Sequence, residues 1–236
     1  MDKKNLSDIV TQVQKSFKND KRAKKIGLGS SLKAVDPNEC VRLPAFWTEA
    51  TNTPGLPFGR MVLIAGTTDS GKTSLAIQAM KAAQEQDVLI IYVETEGKTT
   101  PKDLEAWGVD PTQLILIQTA IAEDAFEALF RSWDAIMTDY PDAKLLVIID
   151  SIGNVISQRD ADLDLSDGHA KPGGHGQVNR LAINKIVAKM EEDQAALLLI
   201  SYTYDNIGCP GKRSAGGEAM HLFSSLHYQT SRKGWI

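Results

Sequence analysis

Cysteine is scarce in this chain. The 236 residues include two cysteines, Cys40 and Cys209, which stand far apart and in no metal-ligand spacing. Neither a disulfide framework nor a zinc site is indicated, and this usage fits the reducing cytoplasm. Long hydrophobic runs are also missing, because no apolar stretch approaches the roughly 20 residues that a membrane span needs. We therefore expect a cytoplasmic protein with no membrane partner.

Excess positive charge is absent as well. The formal net charge is -4 at pH 7, which argues against a protein that coats duplex DNA by bulk charge. A local basic patch is still compatible with this charge. Hydrophobic residues make up 42% of the chain, enough for one sizeable core. We expect one main domain over residues 31–236, preceded by a helical arm and a basic linker over residues 1–30.

The N-terminal segment has an amphipathic pattern. Apolar residues recur at helical spacing at Ile9, Val10, Val13 and Phe17, and Ser7 is placed to cap the helix. The basic run over residues 18–25 predicts a solvated linker. Contact with a neighbouring subunit or with phosphates is the alternative interpretation of this run.

From residue 60 onward, short apolar runs alternate with longer helical patterns. The predicted strands are residues 61–65, 88–93, 114–118, 145–149, 197–202 and 225–230. The predicted helices are residues 72–84, 101–107, 122–138 and 178–190. Runs nearly continuous in Leu, Ile and Val indicate strands buried on both faces. This pattern predicts an α/β fold with a mainly parallel sheet flanked by helices and ligands at the carboxyl ends of its strands.

The most specific motif follows the first of these strands. Residues 66–73 fit the phosphate-binding loop pattern G-x-x-x-x-G-K-[ST] in full. In such a loop, Gly66 and Gly71 let the backbone curl so that its amides converge on phosphate oxygens. Lys72 adds a charge for the β- and γ-phosphates, and the Thr73 hydroxyl can ligate Mg²⁺. The predicted nucleotide-binding residues are Gly66, Thr67, Thr68, Asp69, Ser70, Gly71, Lys72, Thr73 and Ser74.

Carboxylates end two of the predicted strands. Asp150 follows the apolar run 145–149, where it would hold Mg²⁺ through water opposite Thr73. Glu94 and Glu96 end the second strand, and one of them could orient and deprotonate the attacking water. Period-two alternation puts both glutamates on one face, so spacing alone does not choose between them.

Two segments resist this alternation. Residues 158–176 and 203–219 are rich in glycine or aspartate, and both are predicted to be long loops on the ligand side. Lys212 and Arg213 stand among glycines in the second segment, where positive charge suits the phosphates of a DNA strand. A solvated loop is the alternative.

Several segments, in order and at appropriate spacing, resemble the RecA-type DNA recombinases, most closely the UvsX-type phage members. These are residues 66–73, 92–97, 100–101, 107–111, 149–154, 201–204 and 216–217, and the resemblance runs from about residue 43 to 228. It implies an ATP-dependent recombinase, with ATP and Mg²⁺ as cofactors, that forms a helical filament on single-stranded DNA. It further implies homologous pairing and strand exchange with duplex DNA in recombination and repair. Single-strand-binding and loader proteins are then expected partners.

The resemblance also implies roles for individual residues. Glu96 matches the catalytic carboxylate, whereas Glu94 matches a position that is usually Asp. Residues 158–176 and 203–219 correspond to two DNA-binding loops, and the first helix to an arm that docks on the adjacent protomer. The DNA-binding residues expected in the second loop are Lys212, Arg213, Gly216 and Gly217.

This chain departs from the family pattern at two places. Tyr202 occupies the position of the γ-phosphate sensor, where family members have Gln or His, and Ser201 replaces Asn. A phenol still donates a hydrogen bond, although its reach differs. The chain also stops at Ile236, where the family continues with further core strands and with residues that reach the neighbour's ATP. A fragment, a split gene product and a minimal variant are the alternatives. We expect weak DNA-dependent ATPase activity and, if this is a phage protein, a location in the host cytoplasm.

Three other functions share parts of this pattern. A helicase core of the same fold has the same ATP site, a small-molecule kinase can carry the same phosphate loop, and a non-catalytic filament modulator is a further alternative. The glycine-rich second loop favours the recombinase, and no Arg-rich lid segment supports the kinase.

Overall fold

The computed structural model describes residues 3–17, 26, 30, 39–163, 174–190, 192–205 and 212–232. The chain divides into two compact units, Met1–Asp36 and Pro37–Ile236. In the first unit, helix α1 spans Lys3–Ser16. The expected Ser7 cap is wrong, because the helix is already formed at Lys3 and the Ser7 carbonyl accepts the Thr11 hydroxyl at 2.9 Å within it.

The second unit is built from alternating strands and helices. It opens with β1 (Cys40–Arg42), α2 (Ala45–Thr51) and β2 (Gly55–Pro57), and the two short strands pair antiparallel. The elements that follow are β3 (Met61–Gly66), α3 (Lys72–Gln84), β4 (Leu89–Glu94), α4 (Pro101–Ala106), β5 (Ile115–Gln118), α5 (Ala122–Asp139), β6 (Leu145–Asp150), α6 (Gln158–Ala161), α7 (Gly174–Met190), β7 (Ala195–Asp205), β8 (Lys212–Ser214), α8 (Ala219–Phe223) and β9 (Ser224–Thr230).

The main sheet is parallel through its centre. Among the described residues its strands follow the order β5-β4-β6-β7-β3-β9, and every neighbouring pair in that row is parallel. The short strand β8 pairs antiparallel with the end of β7. The expected α/β class with a mainly parallel sheet flanked by helices is confirmed.

Each face of the sheet carries its own core. Leu63 points to the face covered by α5 and α7, where it shares a cluster with Trp133 and Ile186. The next residue, Ile64, points to the opposite face and clusters with Met80 of α3. Because successive strand side chains alternate between faces, a strand covered on both sides must be apolar throughout, as β3 is.

The two expected loops contain regular structure. Helix α6 lies in the first, where Ser157 caps it by accepting the Asp160 amide at 3.2 Å. Strand β7 runs on to Asp205 in the second because its last residues pair with β8 instead of with a strand of the main row. Residues 164–173 and 206–211 of these segments lie outside the described residues. In the part of the chain that the structure describes, no helix is both long and apolar enough to cross a bilayer.

Truncation of a central core residue should destabilise the second unit. Leu63 is fully buried, so Leu63→Ala should lower the free energy of unfolding by about 2–5 kcal/mol through lost burial and a residual cavity. The matched control is Leu222→Ala, because Leu222 is 77% exposed and its change should stay within about 0.5 kcal/mol. Urea unfolding measures both, and equal losses would contradict this description of the core.

Candidate nucleotide-binding site

The phosphate-loop motif joins β3 to α3 at the carboxyl edge of the sheet. Strand β3 ends at Gly66 and α3 begins at Lys72, with Gly71 as its N-cap at φ 85°. Asp69 also lies in the left-handed region, at φ 57°. Since Gly71 has no side chain to cap α3, the amides of its first turn face outward at the positive end of the helix dipole. Such a helix start binds anions, phosphates in particular.

Gly66 is required for a reason other than the expected curl of the backbone. It remains part of strand β3, and a Cβ placed there would lie 2.0 Å from Thr230 Oγ1 and 2.6 Å from the Thr230 carbonyl oxygen. The hydroxyls of Thr230 and Ser70 lie 2.7 Å apart, and Ser70 Oγ also donates to the Thr67 carbonyl at 2.7 Å. Gly66 therefore allows β9 to approach closely and brace the loop.

Three predicted site residues are brought together across 78 positions of sequence, from Lys72 and Thr73 at the start of α3 to Asp150 at the end of β6. The Thr73 hydroxyl donates to Asp150 Oδ2 at 2.7 Å, and Lys72 Nζ donates to the Thr67 carbonyl at 2.7 Å. Hydroxyl and carboxylate oxygens are ligands that Mg²⁺ prefers. The Lys72 ammonium lies against the phosphate loop, where it contacts Thr67. The donor set fits a magnesium–triphosphate complex.

The site carries an excess of buried negative charge. Burial raises the pKa of Asp150 to about 6, opposed by the hydrogen bond from Thr73, while the charges of Glu96 and Glu94 raise it further and Lys72 lowers it. Burial lowers the pKa of Lys72, and the charges of Asp150, Glu96 and Asp69 oppose that shift. A divalent cation beside Asp150 would relieve this repulsion between carboxylates.

The structure gives Glu94 and Glu96 different surroundings. Glu94 is 2% exposed, and its two carboxylate oxygens accept the Glu96 amide at 2.8 Å and Gln118 Nε2 at 3.1 Å. Glu96 is exposed and lies two residues beyond the end of β4, where its carboxylate accepts from Lys98 Nζ and from Asn154 Nδ2. Glu94 is committed to holding the end of the strand, whereas Glu96 faces the cleft.

A threonine joins the ends of β4 and β6. Thr95 Oγ1 donates to the Ser151 carbonyl at 2.9 Å and accepts the Ser151 amide at 3.1 Å. The peptide bond between Asp150 and Ser151 is cis. These contacts fix the distance between the strand that carries the glutamates and the one that carries Asp150.

One cleft of about 450 Å³ collects most of the predicted residues. Its lining residues are Thr68, Asp69, Ser70, Gly71, Lys72, Thr73, Ser74, Glu96, Lys98, Asp150, Ser151, Asn154 and Tyr202. The Tyr202 ring lies over Gly153 at the border of the cleft, because a Cβ at Gly153 would lie only 2.6 Å from Tyr202 Cε1. Glu94 borders an adjoining cavity of about 320 Å³ together with Thr73 and Asp150.

The residues expected to bind DNA are in β8 and in the turn that follows it. Lys212 and Arg213 are in β8, and their side chains are not among those described. Gly216 and Gly217 have φ of 102° and 101°, which favours glycine at both positions. Gly217 borders a separate cavity of about 500 Å³ that also contacts His221 and His227.

Sequence reasoning assigned no role to several residues of the site. Lys98, Gln118 and Thr230 contact predicted residues and belong to none of the motif segments, whereas Asn154 ends the segment 149–154 but had no role of its own. The available signal was position, because each follows or ends a strand at the carboxyl edge. Among the described residues, no group of three or more His, Cys, Asp or Glu side chains forms a further metal site.

Comparison with known proteins points to one family. A family model described as the RecA N-terminal domain matches residues 4–236. Protein RecA of Aquifex pyrophilus is 26% identical over 219 residues, covering 89% of this chain and 61% of that relative. Protein RecA of Marinobacter nauticus is 26% identical over 244 residues, covering 99% of this chain and 65% of that relative. Protein RecA of Fusobacterium nucleatum is 26% identical over 188 residues, covering 77% of this chain and 47% of that relative.

The chain thus spans about half to two thirds of the length of these relatives. They are bacterial proteins, so the closer resemblance to phage members stays a prediction, as does the expectation of a truncated form.

A methyl group at Gly66 should disturb the loop. Gly66→Ala would force the new Cβ against the Thr230 backbone, so we expect a loss of about 1–3 kcal/mol in unfolding free energy and weaker nucleotide binding. Gly176→Ala is the control, because Gly176 lies in α7 with nothing within 4 Å of the new Cβ. That change should be neutral or stabilise by up to about 1 kcal/mol. Thermal unfolding and nucleotide titration of both variants test the close approach of Gly66 and Thr230. Equal losses of stability and nucleotide affinity in the two variants would contradict it.

Proposed function

The chain belongs to the RecA family, and we propose that it is the ATPase core of a DNA recombinase. The observation that carries the proposal is the convergence, in one cleft, of the phosphate loop, the Thr73–Asp150 pair and an accessible Glu96. These are the parts that phosphoryl transfer needs: a cradle for the phosphates, ligands for the metal, and a base for the attacking water.

Each part has a defined task in ATP hydrolysis. The loop amides and Lys72 bind the β- and γ-phosphates, and Mg²⁺ held by Thr73 and Asp150 would neutralise charge on them. Glu96 accepts a proton from a water molecule as the water oxygen bonds to the γ-phosphorus. The bond from that phosphorus to the bridging oxygen breaks, so the products are ADP and inorganic phosphate. Positioning and charge stabilisation supply most of the catalysis.

Tyr202 is proposed as the residue that senses the γ-phosphate. Its side chain borders the cleft, and its carbonyl oxygen accepts the Ala215 amide at 2.9 Å. The preceding residue, Ser201, donates its hydroxyl to the Ala215 carbonyl at 2.7 Å. A shift of the phenol on meeting a phosphate would therefore act on the segment that leads to Gly216 and Gly217. This connection supports coupling between nucleotide and the second DNA loop.

The proposed assembly is a homo-oligomeric filament on single-stranded DNA, which then pairs with homologous duplex DNA. Ile9 and Val13 of α1 are 43% and 39% exposed, so the arm offers apolar surface for a neighbouring subunit. A head-to-tail contact of this kind repeats without closing and produces an open helix. Single-strand-binding and loader proteins, and a cytoplasmic location, are part of the same proposal.

The two glutamates allow a direct test of the catalytic assignment. Glu96→Gln should lower kcat by about 100-fold or more without weakening nucleotide binding, because an amide cannot accept the proton of the water. Glu94→Gln should largely keep kcat but lose about 1–3 kcal/mol of stability, since its new NH₂ group would face the Gln118 donor. Steady-state ATPase assays and urea unfolding separate the two effects. A larger fall in kcat for Glu94→Gln would reverse the assignment.

DNA dependence tests the function as a whole. We expect ATP hydrolysis to rise on addition of single-stranded DNA, with no phosphoryl transfer to nucleosides or nucleotides. Replacing Lys212 and Arg213 by Ala should weaken DNA binding and flatten its salt dependence, by about 0.7 in the log–log slope for each lost phosphate contact.

The control for this experiment replaces Lys81 and Arg131, which are exposed on α3 and α5, by Ala. This double variant should leave both the DNA affinity and the slope of its salt dependence unchanged. Phosphoryl transfer to a nucleotide would support the kinase instead, and duplex unwinding would support the helicase.

A further inference from the structure

Lys98 is a charged residue of the cleft that the mechanism above does not use. Its ammonium lies 2.5 Å from Glu96 Oε2, and Asn154 Nδ2 donates to the other carboxylate oxygen, Oε1. Both oxygens of the proposed base therefore already accept a hydrogen bond. A carboxylate that accepts a proton from water must turn a lone pair toward that water. Release of one donor would leave more of the carboxylate's acceptor sites open to that water.

The position of Lys98 gives it access to a second anion, the phosphates of a nucleotide bound in the cleft. It borders the same cleft as Thr68, Asp69 and Ser70 of the phosphate loop. The contact with Glu96 raises the pKa of Lys98, and the charges of Asp69 and Glu94 act in the same direction. The ammonium therefore remains charged, and it borders the cleft together with the base and with the loop that would hold the triphosphate.

We propose that Lys98 is a positioning residue that switches between Glu96 and the γ-phosphate of bound ATP. This inference rests on the proposed function. Before the triphosphate binds, Lys98 and Asn154 hold Glu96 in one orientation. When a γ-phosphate enters the cleft, the ammonium moves to it, and Glu96 becomes free to orient and deprotonate water. ADP lacks the γ-phosphate and leaves the Lys98–Glu96 pair intact.

The exposure of the pair suits such an exchange. The side chains of Lys98 and Glu96 are 77% and 30% exposed, so water screens their attraction and competes for both groups. An ion pair of this kind is weak, and a triphosphate with several negative charges can displace the carboxylate. By contrast, Glu94 is buried and held by two donors, and it could not take part in a reversible exchange as readily.

A double-mutant cycle tests the switch through binding alone. The dissociation constants of a non-hydrolysable ATP analogue and of ADP, each with Mg²⁺, are measured by calorimetry for the full chain and for Lys98→Ala, Glu96→Gln and the double variant. Glu96→Gln should tighten analogue binding about two- to fivefold, the range of an exposed ion pair, because Lys98 is no longer held. Lys98→Ala should weaken analogue binding by a similar factor, with little effect on ADP.

The decisive value is the factor by which Glu96→Gln tightens analogue binding when Lys98 has already been replaced by Ala; this factor is the gain. The switch predicts that this gain is smaller than in the chain with Lys98, since no ammonium is left to release. Simple removal of a negative charge predicts an equal or larger gain, and that result would overturn the inference. Lys98→Arg should restore the preference for the triphosphate, because it keeps the charge and a similar reach.

The control variant is Lys102→Ala, an exposed lysine of α4, and it should bind both nucleotides as the unmodified chain does. A change equal to that of Lys98→Ala would mean that the effect is only one of net charge, and the inference would fail. Failure of the unmodified chain to bind the analogue at all would instead overturn the proposed function. The two failures are therefore distinguishable.

Discussion

The candidate site depends on one backbone constraint: β3 lies inside the parallel sheet, with hydrogen-bonded neighbours on both sides. The register aligns Gly66 with Tyr202 of β7 and with Thr230 of β9. The start of the phosphate loop, the proposed sensor and the residue that braces the loop therefore lie in one row. Because the sheet must pair its backbone groups internally, none of the three can shift without disturbing the ladder.

The same constraint gathers the acidic residues. Register aligns Glu94 with Gln118 on one side and with Asp150 on the other, so polar side chains meet where the apolar strands end. Burial raises the pKa of Asp150, the charges of Glu96 and Glu94 raise it further, and a cation at this edge would relieve the repulsion between the carboxylates. Outside this buried frame stand Glu96 and Lys98, which are exposed enough to change partners. A rigid inner row with a movable outer pair is an arrangement that a nucleotide can act on.

Local patterns predicted the large elements well and the small ones poorly. The expected helix over residues 72–84 has the same bounds as α3, because the loop motif marks its start and apolar spacing marks its length. The short elements β1, β2, β8, α2, α6 and α8 were not predicted. They are too short for a periodicity to emerge, and β8 exists only because β7 continues beyond its neighbours to pair with it.

The order of the longer strands and helices, the phosphate loop and the acidic end of β6 follow from the amino-acid sequence, because hydrophobic periodicity and motif spacing are local properties. Three features emerge only in the folded molecule: Glu94 is buried while Glu96 faces the cleft, Gly66 is needed for the approach of Thr230, and Lys98 pairs with Glu96. The first two depend on strand order and register, which bring together residues far apart in the chain. No local pattern encodes these two, because they arise from packing between elements. The third is a contact between residues two positions apart, but only the conformation of the turn after β4 brings the two side chains together.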